Sequence, residues 1–140
     1  MKFAKIVFWS AGAWGVLILT PLYFMFDLIG KKDPPPITHP GFYYGFVGAG
    51  LTWQIVFFII ATNPARFRPL IVASIAEKFS YAAALIVLYI QSCLHPSDLV
   101  FAAIDLLFGL LFLAVFVRTS SMTLKNYPPN SPTTAELTSL

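Results

Sequence analysis

Charged residues are scarce in this chain. Of its 140 residues, only 11% are Asp, Glu, Lys or Arg, whereas 58% are hydrophobic. A soluble domain carries about 25% charged residues, which cover its surface. The composition therefore excludes a separate soluble domain and favours a single bundle with a lipid-facing surface. The net charge of +3 does not indicate binding to nucleic acid, because the Lys and Arg residues lie at the ends of apolar runs and form no stripe.

Cysteine and the familiar catalytic motifs are also missing. Cys93 is the only cysteine, which excludes an intrachain disulfide and a cysteine-based metal site. No P-loop, nucleophile elbow, G-x-G-x-x-G or H-E-x-x-H motif occurs. The spacing of His39, His95 and Asp98 is not that of a metal site, and we interpret both histidines as surface residues. We expect no metal and no cofactor, and we favour a non-catalytic protein over an enzyme.

Long apolar runs are what the chain does have. A helix rises about 1.5 Å per residue, and about 20 apolar residues therefore cross a hydrocarbon core of about 30 Å. Four runs reach this length: Ile6–Phe26, Phe42–Thr62, Leu70–Leu94 and Leu99–Val117. They predict an all-α fold, an antiparallel bundle of four transmembrane helices at about residues 6–28, 41–62, 69–94 and 98–118. The polar segment 120–140 has no periodicity and is predicted to be a disordered tail.

The basic residues predict the orientation of the bundle. Six of them fall on one side of the four runs, namely Lys2, Lys5, Arg66, Arg68, Arg118 and Lys125. Only Lys31 and Lys32 fall on the opposite side. Because basic flanks are retained in the cytoplasm, both termini should be cytoplasmic. We expect an integral protein of the bacterial inner (plasma) membrane whose first helix is an uncleaved span and not a secretory signal.

Three polar residues within the runs need an explanation: Gln54, Glu77 and Asp105. A carboxylate at mid-membrane costs about 2.5–3.5 kcal/mol on insertion scales, and such residues usually face the bundle interior and serve a function. Counting back from the turn between the second and third runs places Gln54 and Glu77 at one depth, about 12 Å from the cytoplasmic surface. This predicts a hydrogen bond from the Gln54 amide to the Glu77 carboxylate. The pair fits a structural clamp and a ligand or proton site equally well.

Asp105 is predicted to belong to a second, outer site. The same counting places it about 9 Å beneath the outer surface, level with Val87 and about 15 Å from Glu77. It would form the floor of a polar outer vestibule. Lys78 follows Glu77 directly, and its long side chain is predicted to extend to the inner headgroups.

Small residues mark a face of the second run. Gly41, Gly45 and Ala49 recur at every fourth position, which allows close approach of another helix. We favour packing within the chain, and a homo-oligomer or a membrane partner on this face is the alternative. Pro21 should kink the first helix, because it removes one backbone hydrogen bond.

The layout resembles that of the DoxX-like small membrane proteins, which have four helices, few charges and both termini inside. In addition, the stretch Trp53–Phe58 resembles the second helix of EXPERA-type proteins, a group of sterol isomerases and sterol-binding relatives. The second resemblance implies intramembrane acids and a glutamine around a lipid-accessible pocket. Only Gln54 matches that set.

The leading hypothesis is a bundle that binds a small apolar or amphipathic ligand, such as a lipid, a quinone or a sterol-like molecule. Gln54, Glu77 and Asp105 would supply polar contacts, and the aromatic residues Trp53 and Tyr81 would supply walls. One alternative is a proton- or ion-coupled carrier, for which the gap between Glu77 and Asp105 is an obstacle. Another is an accessory subunit of a membrane complex, bound through the small-residue face.

Overall fold

A computed structural model describes residues 2–32 and 36–125 of the chain. The described residues are helical, without a strand. Two 3-10 turns, Thr20–Phe24 and Pro96–Asp98, accompany the five α-helices. The helices are α1 (Lys2–Leu19), α2 (Phe26–Lys32), α3 (Pro40–Thr62), α4 (Arg68–Ile90) and α5 (Leu99–Lys125).

Four helical segments are long and apolar enough to cross a membrane. They are Lys2–Phe24, Pro40–Thr62, Arg68–Ile90 and Pro96–Thr119. Each has 23 or 24 residues, which at about 1.5 Å per residue exceeds the hydrocarbon thickness. By length and composition, the predicted integral membrane protein with four spanning helices is confirmed.

The first span changes its helix type at the predicted kink. α1 ends at Leu19, and Pro21 lies at the start of the 3-10 turn that follows. Proline has no N–H group for the α-helical hydrogen bond, which explains the change at this position. The hydroxyl of Tyr43 on α3 donates to the carbonyl of Leu22, at 2.7 Å, and ties this turn to the bundle.

Two other helix ends differ from their predicted positions. α4 ends at Ile90 and not at Leu94, and Ser92 takes a left-handed backbone conformation with φ of 59° just beyond it. α5 continues to Lys125, and the first residues of the predicted disordered tail are therefore helical. The remainder of that tail, 126–140, lies outside the described residues.

The spanning helices pack most extensively as two pairs, α1 with α3 and α4 with α5. Close approach of α1 to α3 depends on glycines of α1. A Cβ at Gly12 would overlap the Phe58 ring, and one at Gly15 would overlap the Gln54 amide. Such small residues let helix backbones approach in lipid, where apolar burial alone does not drive association.

The predicted intrachain contact through Gly41, Gly45 and Ala49 is wrong. A Cβ at Gly41 or Gly45 would meet nothing within 4 Å, and Ala49 is exposed. α3 instead buries a face that includes Val47 and Gln54. Since successive helix residues are about 100° apart, Gly45 lies about 200° from Val47 and points away from the bundle. Contact of this face with a second copy or a membrane partner stays a prediction.

The larger of the two buried clusters lies at one end of the bundle. The rings of Phe8 and Phe112 stack at 4.3 Å, and Phe57 meets Phe112 edge-on at 5.2 Å. Ile60 and Ile71 are fully buried in the same cluster. This aromatic core joins α1, α3, α4 and α5 near the ends of the spans. Further along the helices, a cavity is lined by residues of both pairs.

Candidate functional site

The cavity lies between the pair α1 and α3 and the pair α4 and α5, and its volume is about 90 Å³. All four spanning helices contribute to its lining. Its apolar walls include Trp14, Ile18, Leu19, Phe46 and Phe101. Its polar lining consists of Gln54, Glu77, Lys78, Tyr81 and Asp105. Apolar walls with a few convergent polar groups are typical of small-molecule sites.

A buried lysine is at the centre of the polar lining. Lys78 is only 8% exposed, and its Nζ atom lies 3.1 Å from Oδ1 of Asp105 on α5. The same ammonium group is 3.4 Å from the carboxylate of Glu77, the preceding residue of α4. It also lies 5.3 Å from the centre of the Phe57 ring, which links it to the aromatic core. One cation thus bridges two carboxylates between α4 and α5.

This cluster corrects two predictions. Lys78 does not extend to the headgroups, because the two carboxylates hold its ammonium group inside the bundle. Asp105 is not the floor of a separate outer site, because it shares the Lys78 ammonium group with Glu77. Within the part of the chain that the structure describes, the two predicted polar sites therefore form a single one.

The alignment of α4 with α5 explains the second correction. The predicted level of Asp105 assumed that the third helix reaches Leu94, whereas α4 ends at Ile90. The contacts of α5 with α4 lie closer to the N-terminal end of α4 than predicted. A Cβ on Gly109 would lie 3.1 Å from the Phe79 ring, and Ala102 belongs to a buried cluster with Ala82. Lys78 and Asp105 still differ in level along the helices, and the long side chain of Lys78 covers this remaining distance.

Gln54 does not bond to Glu77, and the predicted clamp between α3 and α4 is wrong. Its amide nitrogen donates to the carbonyl of Gly50, one turn earlier in α3, at 2.7 Å. Its Oε1 atom is buried and accepts no hydrogen bond. The amide fits against α1 because Gly15 has no side chain. A carbonyl of the same helix satisfies the amide donor, and the acceptor is left without a donor.

The other predicted site residues divide between the cavity and the core. Tyr81 lines the cavity, and its ring stacks on Phe46 at 5.8 Å. Trp53 does not line it, and packs instead near Phe57 at 6.2 Å beside the aromatic core. Of the five predicted residues, the structure therefore brings four together: Gln54, Glu77, Tyr81 and Asp105.

The lining residues that the sequence analysis missed are Lys78 and the apolar and glycine residues, of which Trp14 is the largest. Lys78 could have been found from the same rule that selected Glu77, because any ionisable residue within a span is expected to face the bundle interior. Trp14 carries no such signal. It lies in a run of apolar residues, and only the packing of α1 against α3 and α5 shows which face of α1 points inward.

The arrangement suits non-covalent binding of a polar group. It offers carboxylate and amide oxygens as acceptors and an ammonium group that is already paired with both acids. Within 2–32 and 36–125, no group of three or more His, Cys, Asp or Glu residues is placed to hold a metal ion. The chemistry that the site presents is therefore hydrogen bonding and charge pairing next to an apolar wall.

Comparisons with known proteins find no relative. No family model, no curated protein and no solved structure matches the chain. A function is therefore inferred from the geometry of the cavity.

Proposed function

We propose that this membrane protein binds a small amphipathic ligand in the cavity between its two helix pairs. The observation that carries the proposal is the division of the cavity into apolar walls and a cluster of polar groups. An apolar part of the ligand would lie against residues such as Trp14 and Phe46, and its polar end would meet Gln54 and Glu77. Lipid, quinone and sterol-like molecules all have this amphipathic character.

The volume limits how much of the ligand is enclosed. A cavity of about 90 Å³ is far smaller than the roughly 300–1,000 Å³ of pockets that enclose a whole drug-sized molecule. The space therefore takes the polar end of a ligand and not the whole molecule. Phe46 and Phe101, which are 46% and 38% exposed, also line the cavity. The remainder of the ligand would leave past them into the lipid.

The finer features of the bundle belong to the same proposal. We place the four spans antiparallel, with both termini in the cytoplasm of a bacterial inner membrane, as the basic residues predict. The likeness in layout to DoxX-like proteins fits this arrangement.

Cys93 is exposed and lies in the connection after α4, on the proposed outer side. A membrane-impermeant maleimide should therefore label Cys93 in intact cells. Labelling only after permeabilisation would show that the chain has the opposite orientation.

Filling the cavity should remove the ligand. Ile18 lines the cavity, whereas its neighbour Leu17 is mostly exposed on the outside of α1. We expect Ile18→Trp to lose a bound molecule that the wild-type protein and Leu17→Trp retain, because the indole ring occupies the space of the head group. Intact-protein mass spectrometry from a mild detergent, after incubation with a total membrane extract, measures the bound mass. A wild-type protein without any bound molecule, or equal binding by the Ile18→Trp variant, would contradict the proposed function.

A further inference from the structure

The charges that line the cavity do not balance. Glu77 and Asp105 are two carboxylates, and Lys78 is the one basic residue among the described residues of the lining. With all three ionised, the cluster carries one negative charge in excess. From α1 and α3 the lining residues that face it, including Trp14 and Gln54, are uncharged. A net charge inside a bilayer is costly, and the cluster therefore favours uptake of one positive charge.

The hydrogen-bonding groups are unbalanced in the same direction. Oε1 of Gln54 is buried and accepts no hydrogen bond, whereas Oε2 of Glu77 is buried with the Lys78 ammonium group 3.4 Å away as its ion-pair partner. The two nearby donors are directed elsewhere, since the Gln54 amide donates to the Gly50 carbonyl and the Lys78 ammonium group pairs with the two acids. Buried polar atoms are nearly always hydrogen-bonded, and the Gln54 acceptor without a donor at this cavity indicates a missing donor.

The shape of the cavity decides what kind of donor fits. A proton on one carboxyl group would cancel the excess charge, but it would fill none of the space between the apolar walls. An ammonium group on an alkyl chain supplies a positive charge, several N–H donors and an apolar part in one molecule. The aromatic rings of Trp14 and Phe46 at the wall also favour a cation.

Resting on the proposed function, we infer that the polar end of the ligand is a primary ammonium group. It enters the cavity as the positive charge that Glu77 and Asp105 lack, and it donates to Gln54 Oε1 and to the Glu77 carboxylate. Lys78 holds the two acids together, and because the cluster has one negative charge in excess, the site takes one ammonium group. The ligand class is thus a cationic alkylamine or a lipid whose head group is a primary amine.

Trp14 provides a direct readout of this cavity. In a protein with Trp9→Phe and Trp53→Phe, it is the one remaining tryptophan. Its fluorescence in lipid nanodiscs is measured during titration with three probes of equal chain length: octylamine, octan-1-ol and octanoate. Lysophosphatidylethanolamine as a fourth probe distinguishes a lipid amine from a free one. The Glu77→Gln variant removes the excess charge, and Asp27→Asn removes a carboxylate that does not line the cavity.

We expect a saturable response to octylamine, with octan-1-ol and octanoate at least about tenfold weaker, as the loss of a hydrogen bond to a charged group implies. The Asp27→Asn variant should keep this preference, and Glu77→Gln should lose it. If Glu77→Gln does not fold, Asp105→Asn removes the same charge and serves in its place. Equal binding of octan-1-ol and octylamine would overturn the ammonium inference and leave the pocket in place. Preference for octanoate would show that Lys78 selects the ligand, and no response to any probe would contradict the proposed function itself.

Discussion

Replacing Lys78 with methionine is expected to lower the free energy of unfolding by about 3–5 kcal/mol, because it leaves two carboxylates in the bundle without a cation. Lys78 is buried, and its Nζ atom is the partner of both Glu77 and Asp105. Methionine keeps an unbranched apolar side chain of similar size and removes the ammonium group with its charge and its N–H donors. Circular dichroism during titration with a denaturing detergent measures the change. The matched control is Lys5→Met, where the lysine is exposed, and a change within about 0.5 kcal/mol is expected there.

The double variant Lys78→Met with Asp105→Asn separates loss of the ion pair from loss of packing. Once Asp105 is neutral, the missing cation leaves only Glu77 unpaired. The double variant should therefore lose less free energy of unfolding than the sum of the two single variants, by at least about 1 kcal/mol. Such non-additivity is usual for residues in contact. Additive effects, or a Lys78→Met variant as stable as the wild type, would show that the ammonium group does not pair with Asp105.

The second large effect is expected at Gly15, where leucine should lower the free energy of unfolding by about 1–3 kcal/mol. A Cβ at this position would overlap the Gln54 amide, so the amide would have to leave the Gly50 carbonyl to which it donates, or α1 and α3 would have to move apart. Gly45→Leu is the matched control, since a Cβ there meets nothing within 4 Å and the new side chain would face lipid. In thermal unfolding in detergent, the Tm of Gly45→Leu should therefore be close to that of the wild type, and the Tm of Gly15→Leu should be well below it.

Removing the opposing side chain should restore part of this loss. Gln54→Ala in the Gly15→Leu protein makes room for the leucine without separating the helices. The double variant is expected to be more stable than Gly15→Leu alone. If it is less stable, the glycine serves the flexibility of α1 and not the close approach of α1 to α3.

The spans and most of the site could be predicted because both follow from the cost of polar groups in lipid. Apolar length alone identified four spanning helices. The cost of burying a carboxylate or an amide in hydrocarbon indicated that Gln54, Glu77 and Asp105 face inward, and all three line the cavity. This reasoning needs only the residue type and its depth, which a sequence provides.

The alignment of neighbouring helices could not be predicted in the same way. The level of Asp105 against α4 depends on where α4 ends and on how the chain returns through residues 91–98. Ser92 takes a left-handed conformation there, which no pattern in the sequence indicates. An error of a few residues, each worth about 1.5 Å, was enough to separate Asp105 from Glu77 and to leave Lys78 without its partner.

The predicted bond between Gln54 and Glu77 failed for a different reason. Equal depth does not decide the partner of the amide, because a carbonyl of the same helix competes for it. A glutamine side chain reaches the carbonyl one turn earlier in its own helix, and in Gln54 the carbonyl of Gly50 takes the amide donor. The result is an acceptor without a donor at the cavity, and this feature carries the inference about the ligand.

The most direct test is whether α4 and α5 meet at the level that brings Glu77, Lys78 and Asp105 into one site. Disulfide formation between introduced cysteines, in a Cys93→Ser background, measures this alignment. Ala82→Cys paired with Ala102→Cys should cross-link under mild oxidation, because both residues belong to one buried cluster. Ile90→Cys paired with Ala102→Cys should not, since Ile90 is mostly exposed at the end of α4. Cross-linking of the second pair and not the first would show that Asp105 does not lie beside Lys78, and it would contradict the single polar cavity.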